Sequence, residues 1–221
     1  MIPFIAPILT WISSAIATVG PVVARVATTL VTKLPQLAQT IYVVAKTIVE
    51  VAEKLGLNDI EDPEQIGAKM TQEGTRARME DESMEDYIRY LKNEVELDRE
   101  RLLHMSEQEK IECNAVGIGA IAESLQEKTG VELSGDFIVN AYNLKMTAEE
   151  ISKFIESFEK NGLDNMDLLS RFLEGKLDSV HLDKVLTVVE NTEKELYPKA
   201  SEAEILMKIE ELKEALQNAP K

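Results

Sequence analysis

A helix-start pattern, in which a serine or threonine is followed three residues later by an acid, stands at the start of four amphipathic runs after residue 82. In this pattern the hydroxyl accepts a hydrogen bond from an amide of the first helical turn, and the acid reaches back to the capping residue. The four pairs are Ser83 and Asp86, Ser106 and Glu109, Thr147 and Glu150, and Ser201 and Glu204. Each pair precedes a run whose apolar residues recur at steps of three and four, so the sequence predicts an all-α protein.

The rest of the C-terminal part shows the same periodicity. The stretch after Ser83 is predicted to stay helical to about Met105. Further helices are predicted at 135–144, 165–174 and 180–196. The apolar residues of each helix form a single face, which predicts a bundle of short helices.

Charge is distributed unevenly along the chain. The first 46 residues contain Arg25, Lys33 and Lys46 and no acid, whereas the remainder holds all 40 acids and 21 of the 24 bases, a net charge of −19. One uniform surface does not segregate charge in this way, so two physical environments are expected. The overall charge of −16 argues against nucleic acid as a partner, because contacts to phosphates need clustered lysine and arginine.

The first 24 residues carry no charged side chain. A signal peptide is not favoured, because the basic n-region is missing. A membrane-spanning helix needs about 20 apolar residues, whereas prolines leave only a shorter uninterrupted run here, from about Ile8 to Val19. The segment is therefore predicted to enter either a bilayer or a groove formed by protein partners, and the sequence leaves both open.

Two helical arms are predicted in residues 4–56, forming a hydrophobic hairpin. Small and hydroxyl side chains recur every four residues in the first arm, which favours close helix packing. The second arm begins at Pro21, and Pro35 is expected to kink or interrupt it near Leu34. Thirteen residues of the hairpin are predicted to insert into a membrane or a partner. They are Ile5, Ala6, Leu9, Thr10, Trp11, Ile12, Ser14, Ile16, Thr18, Val23, Ala27, Leu30 and Leu34.

The chain is accordingly divided into three segments. Residues 1–56 are predicted to form the hydrophobic and amphipathic hairpin, and 57–82 a polar linker with one short helix near Pro63 to Met70. Residues 83–221 are predicted to form an acidic, all-helical domain.

The sequence shows no catalytic, cofactor-binding or metal-binding signature. The single cysteine, Cys113, excludes an intramolecular disulfide framework and indicates a reducing compartment or an assembled particle. Neither His104 nor His181 has a second histidine or cysteine at metal-binding spacing. Gly117 and Gly119 lie inside an apolar helix without the preceding strand of a nucleotide-binding loop, so they predict close contact between helices instead.

These observations favour a non-enzymatic structural or interaction protein. In this hypothesis the apolar arm inserts into partner subunits of a homo-oligomer or larger assembly, for example a phage-like particle or a secretion or injection machine. One alternative is a membrane-active, pore-forming or holin-like protein that contacts the bilayer through residues 1–46 and is membrane-associated. Another is a soluble helical enzyme or regulator. No cofactor is expected.

Overall fold

A computed structural model describes residues 19–34, 36–58 and 60–219, and only the backbone at residues 99, 101 and 102. Within these ranges the chain is all-α, as predicted, and forms no strand beyond an isolated bridge between Glu132 and Asn165. The helices are α1 (Pro21–Lys33), α2 (Leu37–Lys54), α3 (Pro63–Met70), α4 (Met84–Glu94), α5 (Arg99–His104), α6 (Glu107–Thr129), α7 (Gly135–Asn143), α8 (Ala148–Lys160), α9 (Asp167–Leu173), α10 (Ser179–Leu196) and α11 (Glu202–Gln217).

The four predicted helix starts are confirmed. Ser106, Thr147 and Ser201 form complete capping boxes at α6, α8 and α11. Ser83 caps α4 by accepting a hydrogen bond from the amide of Asp86 at 3.0 Å. The Asp86 carboxylate, one methylene shorter than glutamate, instead accepts from the Ser83 hydroxyl at 2.7 Å. Local hydrogen bonds thus determine where these helices begin.

The prediction of one continuous helix after Ser83 is wrong, because α4 and α5 are separated by a non-helical stretch at residues 95–98. The side chain of Gln72 holds this stretch. Its amide nitrogen donates to the carbonyl of Glu96 at 3.0 Å, and its oxygen accepts from the amide of Asp98 at 3.2 Å. A contact distant in sequence therefore replaces hydrogen bonds that a continuous helix would have made itself.

Helix α6 lies at the centre of the fold. Every residue from Ile111 to Leu125 is buried, so the helix is covered on all sides instead of along one stripe. Helices α1, α2, α3 and α4 pack against it, and α8 also touches it.

Glycines allow α6 to approach its neighbours closely. A Cβ atom at Gly117 would lie 2.0 Å from the carbonyl oxygen of Pro63 in α3. A Cβ atom at Gly119 would lie 2.7 Å from the carbonyl oxygen of Val23 in α1. The close helix contact predicted for these two glycines is confirmed.

The second predicted arm forms α1, which ends at Lys33, and α2, which begins at Leu37, so the interruption expected near Leu34 is confirmed. Gln36 adopts a left-handed conformation with φ of 47°, which turns the chain before α2. Helix α1 packs against α6 and α7, whereas α2 packs against α6 and α8. The first arm, up to residue 18, lies outside the described residues, so its pairing with the second arm stays a prediction.

The main hydrophobic core includes residues of all three predicted segments, from Val19 to Leu216. A second, small cluster is formed by Ala68, Met105 and Cys113. The short helix predicted near Pro63 to Met70 forms as α3 and contributes Ile66 and Met70 to this core. The predicted boundaries at residues 56 and 82 therefore do not separate independent cores in the part of the chain that the structure describes.

Candidate functional site

The thirteen residues predicted to insert fall into two groups. The nine in the first arm lie outside the described residues, and insertion through them stays a prediction. Val23, Ala27, Leu30 and Leu34 lie in the protein's own core, where each is at most 4% exposed. Because α1 presents its apolar face to α6 and α7, insertion of these four residues into a partner would require α1 to leave the core.

An open apolar groove lies between α2, α7 and α8 and encloses a cavity of about 350 Å³. We call it the α2–α7–α8 groove. Its apolar lining includes Val44, Ile48, Phe137, Ile138, Met146 and Ile151. At its mouth Val43 is 54% exposed, although it is a large apolar residue. The groove falls within the size range of ordinary binding pockets. Five of these six apolar lining residues are each at most 3% exposed, so filling the groove would remove mainly surface of Val43, Tyr142 and Met146 from water.

The turn between α7 and α8 forms one end of the groove. Helix α7 ends at Asn143, and the hydroxyl of Thr147 caps α8. Between them Lys145 adopts a left-handed conformation with φ of 56°, and its amide donates to the carbonyl of Tyr142 at 2.9 Å. This turn brings Asn143, Lys145 and Met146 to the rim.

The groove differs in charge from the rest of the body. Among its described lining residues Lys145 carries the only charge and no acid is present, although the whole chain contains 40 acids. An apolar group entering the groove therefore meets no carboxylate that would have to lose its hydration. The site is suited to bind an uncharged apolar segment.

A second cluster, polar and partly buried, connects the loop before α4 to α6. The Arg78 guanidinium contacts the carboxylates of Glu123 at 2.8 Å and Glu127 at 2.9 Å, and Glu127 also accepts from the Met84 amide at 2.6 Å. Glu123 is 6% exposed, and its Oε2 has no hydrogen-bond partner in the described part of the chain. Burial raises the pKa of Glu123, and Arg78 opposes this shift. The cluster connects parts of the fold and lies apart from the groove.

Other chemically capable residues are scattered. In the described ranges, no group of three or more histidines, cysteines, aspartates or glutamates is placed to hold a metal ion. Cys113 is buried in α6, and His104 is exposed. His181 contacts the Asp178 carboxylate through Nδ1 at 2.8 Å, and this hydrogen bond lowers the pKa of Asp178 at the start of α10.

None of the helices in the described part of the chain is long and apolar enough to cross a bilayer.

Two further glutamates, Glu112 and Glu193, are each 3% exposed, and burial raises the pKa of both. A raised carboxyl pKa in the folded state means that the folded chain binds more protons than the unfolded chain. Their contribution to stability therefore increases as the pH falls from neutrality towards the unfolded value of 4.5, and is lost as the pH rises through the raised pKa.

Replacing Glu193 with glutamine is expected to stabilise the protein at pH 7.5 by about 1 kcal/mol, since the buried charge is removed. The gain should shrink as the pH approaches 5. Urea denaturation followed by circular dichroism at both pH values measures the difference. Glu195→Gln, an exposed change on the same helix, is the matched control and should leave the pH dependence unchanged. A Glu193→Gln variant that is less stable at pH 7.5 would contradict the assignment.

Comparisons with known protein families, curated proteins and solved structures give no significant match. The candidate site therefore depends on the geometry alone. Sequence reasoning missed the groove because its walls combine α2 with α7 and α8, which lie far from α2 along the chain. One signal was available: Val43 is apolar but lies outside the series Ile41, Ala45, Ile48 and Ala52, whose steps of four, three and four mark one face of this helix.

Proposed function

We propose that this chain is a non-enzymatic interaction protein of a larger assembly, in which the apolar N-terminal segment, residues 1–18, inserts into a neighbouring protein subunit. The observation that carries the proposal is the contrast between this segment, which has no charged residue, and an acidic body. The burial of Val23, Ala27, Leu30 and Leu34 limits the proposed inserting element to residues 1–18. The α2–α7–α8 groove supports the proposal, because it is an apolar acceptor surface on the same chain.

The main alternative, insertion of the hairpin into an anionic bilayer, depends partly on the three positive charges among residues 1–46. Each of them has an acidic neighbour on the same chain. Arg25 lies 3.7 Å from Glu132, Lys33 contacts Asp136, and Lys46 lies 3.9 Å from Glu50. These exposed ion pairs contribute little to stability. They do reduce the local positive potential that would attract anionic lipids, so a protein partner is favoured.

The test is size-exclusion chromatography with light scattering on the full-length chain, in buffer without detergent. We expect a concentration-dependent oligomer. The double variant Leu9→Glu/Ile12→Glu should be monomeric, since two carboxylates in the segment cannot enter an apolar site without a large desolvation penalty. Trp11 is the only tryptophan, so its fluorescence reports on this segment directly and should be blue-shifted in the oligomer alone.

The same measurement is repeated with vesicles of phosphatidylcholine and phosphatidylglycerol. A wild-type chain that stays monomeric in buffer, and whose Trp11 emission shifts only when vesicles are added, would support the bilayer alternative instead. An oligomer that persists unchanged in the Leu9→Glu/Ile12→Glu variant would also contradict the proposal, because assembly would then depend on another surface.

A further inference from the structure

We infer that the α2–α7–α8 groove of one copy binds the N-terminal segment, residues 1–18, of a second copy of this chain. The inference rests on the proposed function, since it names the partner and the acceptor site for the same inserting segment. The contact it describes is between two different surfaces of one chain, so repeated copies would form a closed ring or a filament.

The chemistry of the two surfaces is complementary. The segment contains no charged side chain, and the groove is lined by apolar residues from three helices, with Lys145 at its rim as its one charge among the described residues. The remaining surface is acidic, because residues after position 46 carry a net charge of −19. An uncharged apolar segment that enters the groove therefore displaces no hydration from a carboxylate among the described lining residues.

The sequence of the segment fits a groove of this kind. Ile5, Leu9, Ile12 and Ile16 follow one another at steps of four, three and four, so in a helix they would share one face. Amphipathic helices that bind apolar grooves present their anchoring side chains at this spacing. A cavity of about 350 Å³ is large enough for a few such side chains but not for the whole segment, so the remaining apolar residues would cover the exposed Val43 and the rim.

The position at which the segment joins the body favours the groove of a neighbouring copy. The segment is connected to α1, and none of the groove's described lining residues belongs to α1. At the junction Gly20 adopts φ of 84°, and no atom lies within 4 Å of the place where its Cβ would stand. The element that directly follows the segment is therefore not part of the groove walls on α2, α7 and α8.

The experiment uses two full-length variants that each lose one half of the contact. The groove variant, Val43→Glu/Thr47→Glu, places two carboxylates at the groove mouth on one face of α2, where Val43 is exposed. The segment variant is Leu9→Glu/Ile12→Glu. Each change should weaken self-association by at least about 100-fold, the effect of leaving a charge in an apolar contact. Each variant alone is therefore expected to be monomeric.

A 1:1 mixture of the two variants is expected to form a heterodimer and nothing larger. The intact segment of the groove variant then occupies the intact groove of the segment variant, and no further contact is available. Light scattering with one chain enlarged by a fusion tag measures the composition. If Trp11 of the segment variant is also replaced by phenylalanine, a blue shift on mixing reports only the docked segment.

The matched control is Val180→Glu/Thr187→Glu on α10. Val180 is 83% exposed, and the Thr187 hydroxyl donates to the carbonyl four residues earlier, as the Thr47 hydroxyl does in α2. This control should assemble like the wild-type chain. Circular dichroism of every variant verifies that the helices are retained.

The possible failures are distinguishable. If the segment variant is monomeric while the groove variant assembles like wild type, the segment inserts elsewhere: the proposed function stands and this inference is overturned. If wild type is monomeric and its Trp11 emission is red-shifted by Val43→Glu/Thr47→Glu, the segment occupies its own groove, and the second copy is excluded. If the wild type is monomeric and its Trp11 emission maximum is the same as in both double variants, the proposed function itself is rejected.

Discussion

Replacing Gly117 with alanine is expected to destabilise the protein by about 3 kcal/mol, a large share of the stability of a typical domain. The added Cβ would lie 2.0 Å from the carbonyl oxygen of Pro63, and backbone atoms on both sides of the contact cannot turn aside as a flexible side chain would. Helices α3 and α6 must therefore move apart. Helix propensity alone predicts the opposite sign, a gain of up to about 1 kcal/mol, so urea denaturation separates the two effects clearly.

The contact is reciprocal, which provides a sharper test. A Cβ at Gly67 would lie 1.9 Å from the carbonyl oxygen of Cys113, one helical turn from Gly117. Gly67→Ala should therefore destabilise the protein to a similar extent. Because one separation of α3 from α6 relieves both clashes, the double variant should lose less stability than the sum of the two single losses. Fully additive losses, or a stabilised Gly117→Ala variant, would show that the helices do not meet at these glycines.

Replacing Arg78 with methionine is expected to reduce the free energy of unfolding at pH 7.5 by about 3 kcal/mol. The change leaves Glu123 buried without its cation, and its Oε2 already has no hydrogen-bond partner among the described residues. The lower end of the usual range is expected, since the Arg78 side chain is 26% exposed and water compensates part of the loss. Because burial raises the pKa of Glu123, the loss should be smaller at pH 5.

A double-mutant cycle shows whether the loss comes from the uncompensated carboxylate. Arg78→Met/Glu123→Leu removes both charges and should recover most of the stability, since replacing both partners of a buried ion pair is often neutral. Glu127, which also accepts a hydrogen bond from the Met84 amide, is unchanged in this variant. If the double variant is no more stable than Arg78→Met, the contribution of Arg78 comes from packing and not from its charge.

The polar contacts that hold distant segments together were invisible to sequence reasoning. Arg78 and Glu123 are 45 residues apart, and the Gln72 contacts that end α4 span 24 and 26 residues. Nothing in local periodicity indicates such pairs, because each residue on its own resembles an ordinary surface residue. The predicted helix after Ser83 failed for this reason.

The α2–α7–α8 groove was beyond sequence reasoning for a related reason. Its walls combine residues near position 45 with residues near 140 and 150, and only their packing around α6 brings them together. The inserting role predicted for Val23, Ala27, Leu30 and Leu34 also depended on contacts that the sequence does not indicate. An apolar stripe requires a cover, and the pattern does not indicate whether that cover is a partner or the chain itself.

The sequence by itself determined the class of fold, the positions of most helix starts, the interruption after Lys33 and the need for close approach at Gly117 and Gly119. These features depend on local hydrogen bonds, on the missing amide of proline or on the absence of a side chain, all of which are properties of a few neighbouring residues. The tertiary structure decided which apolar faces are covered, where α4 ends and where the groove lies. Those outcomes depend on contacts between residues tens of positions apart, whose free energy exists only once the helices have packed.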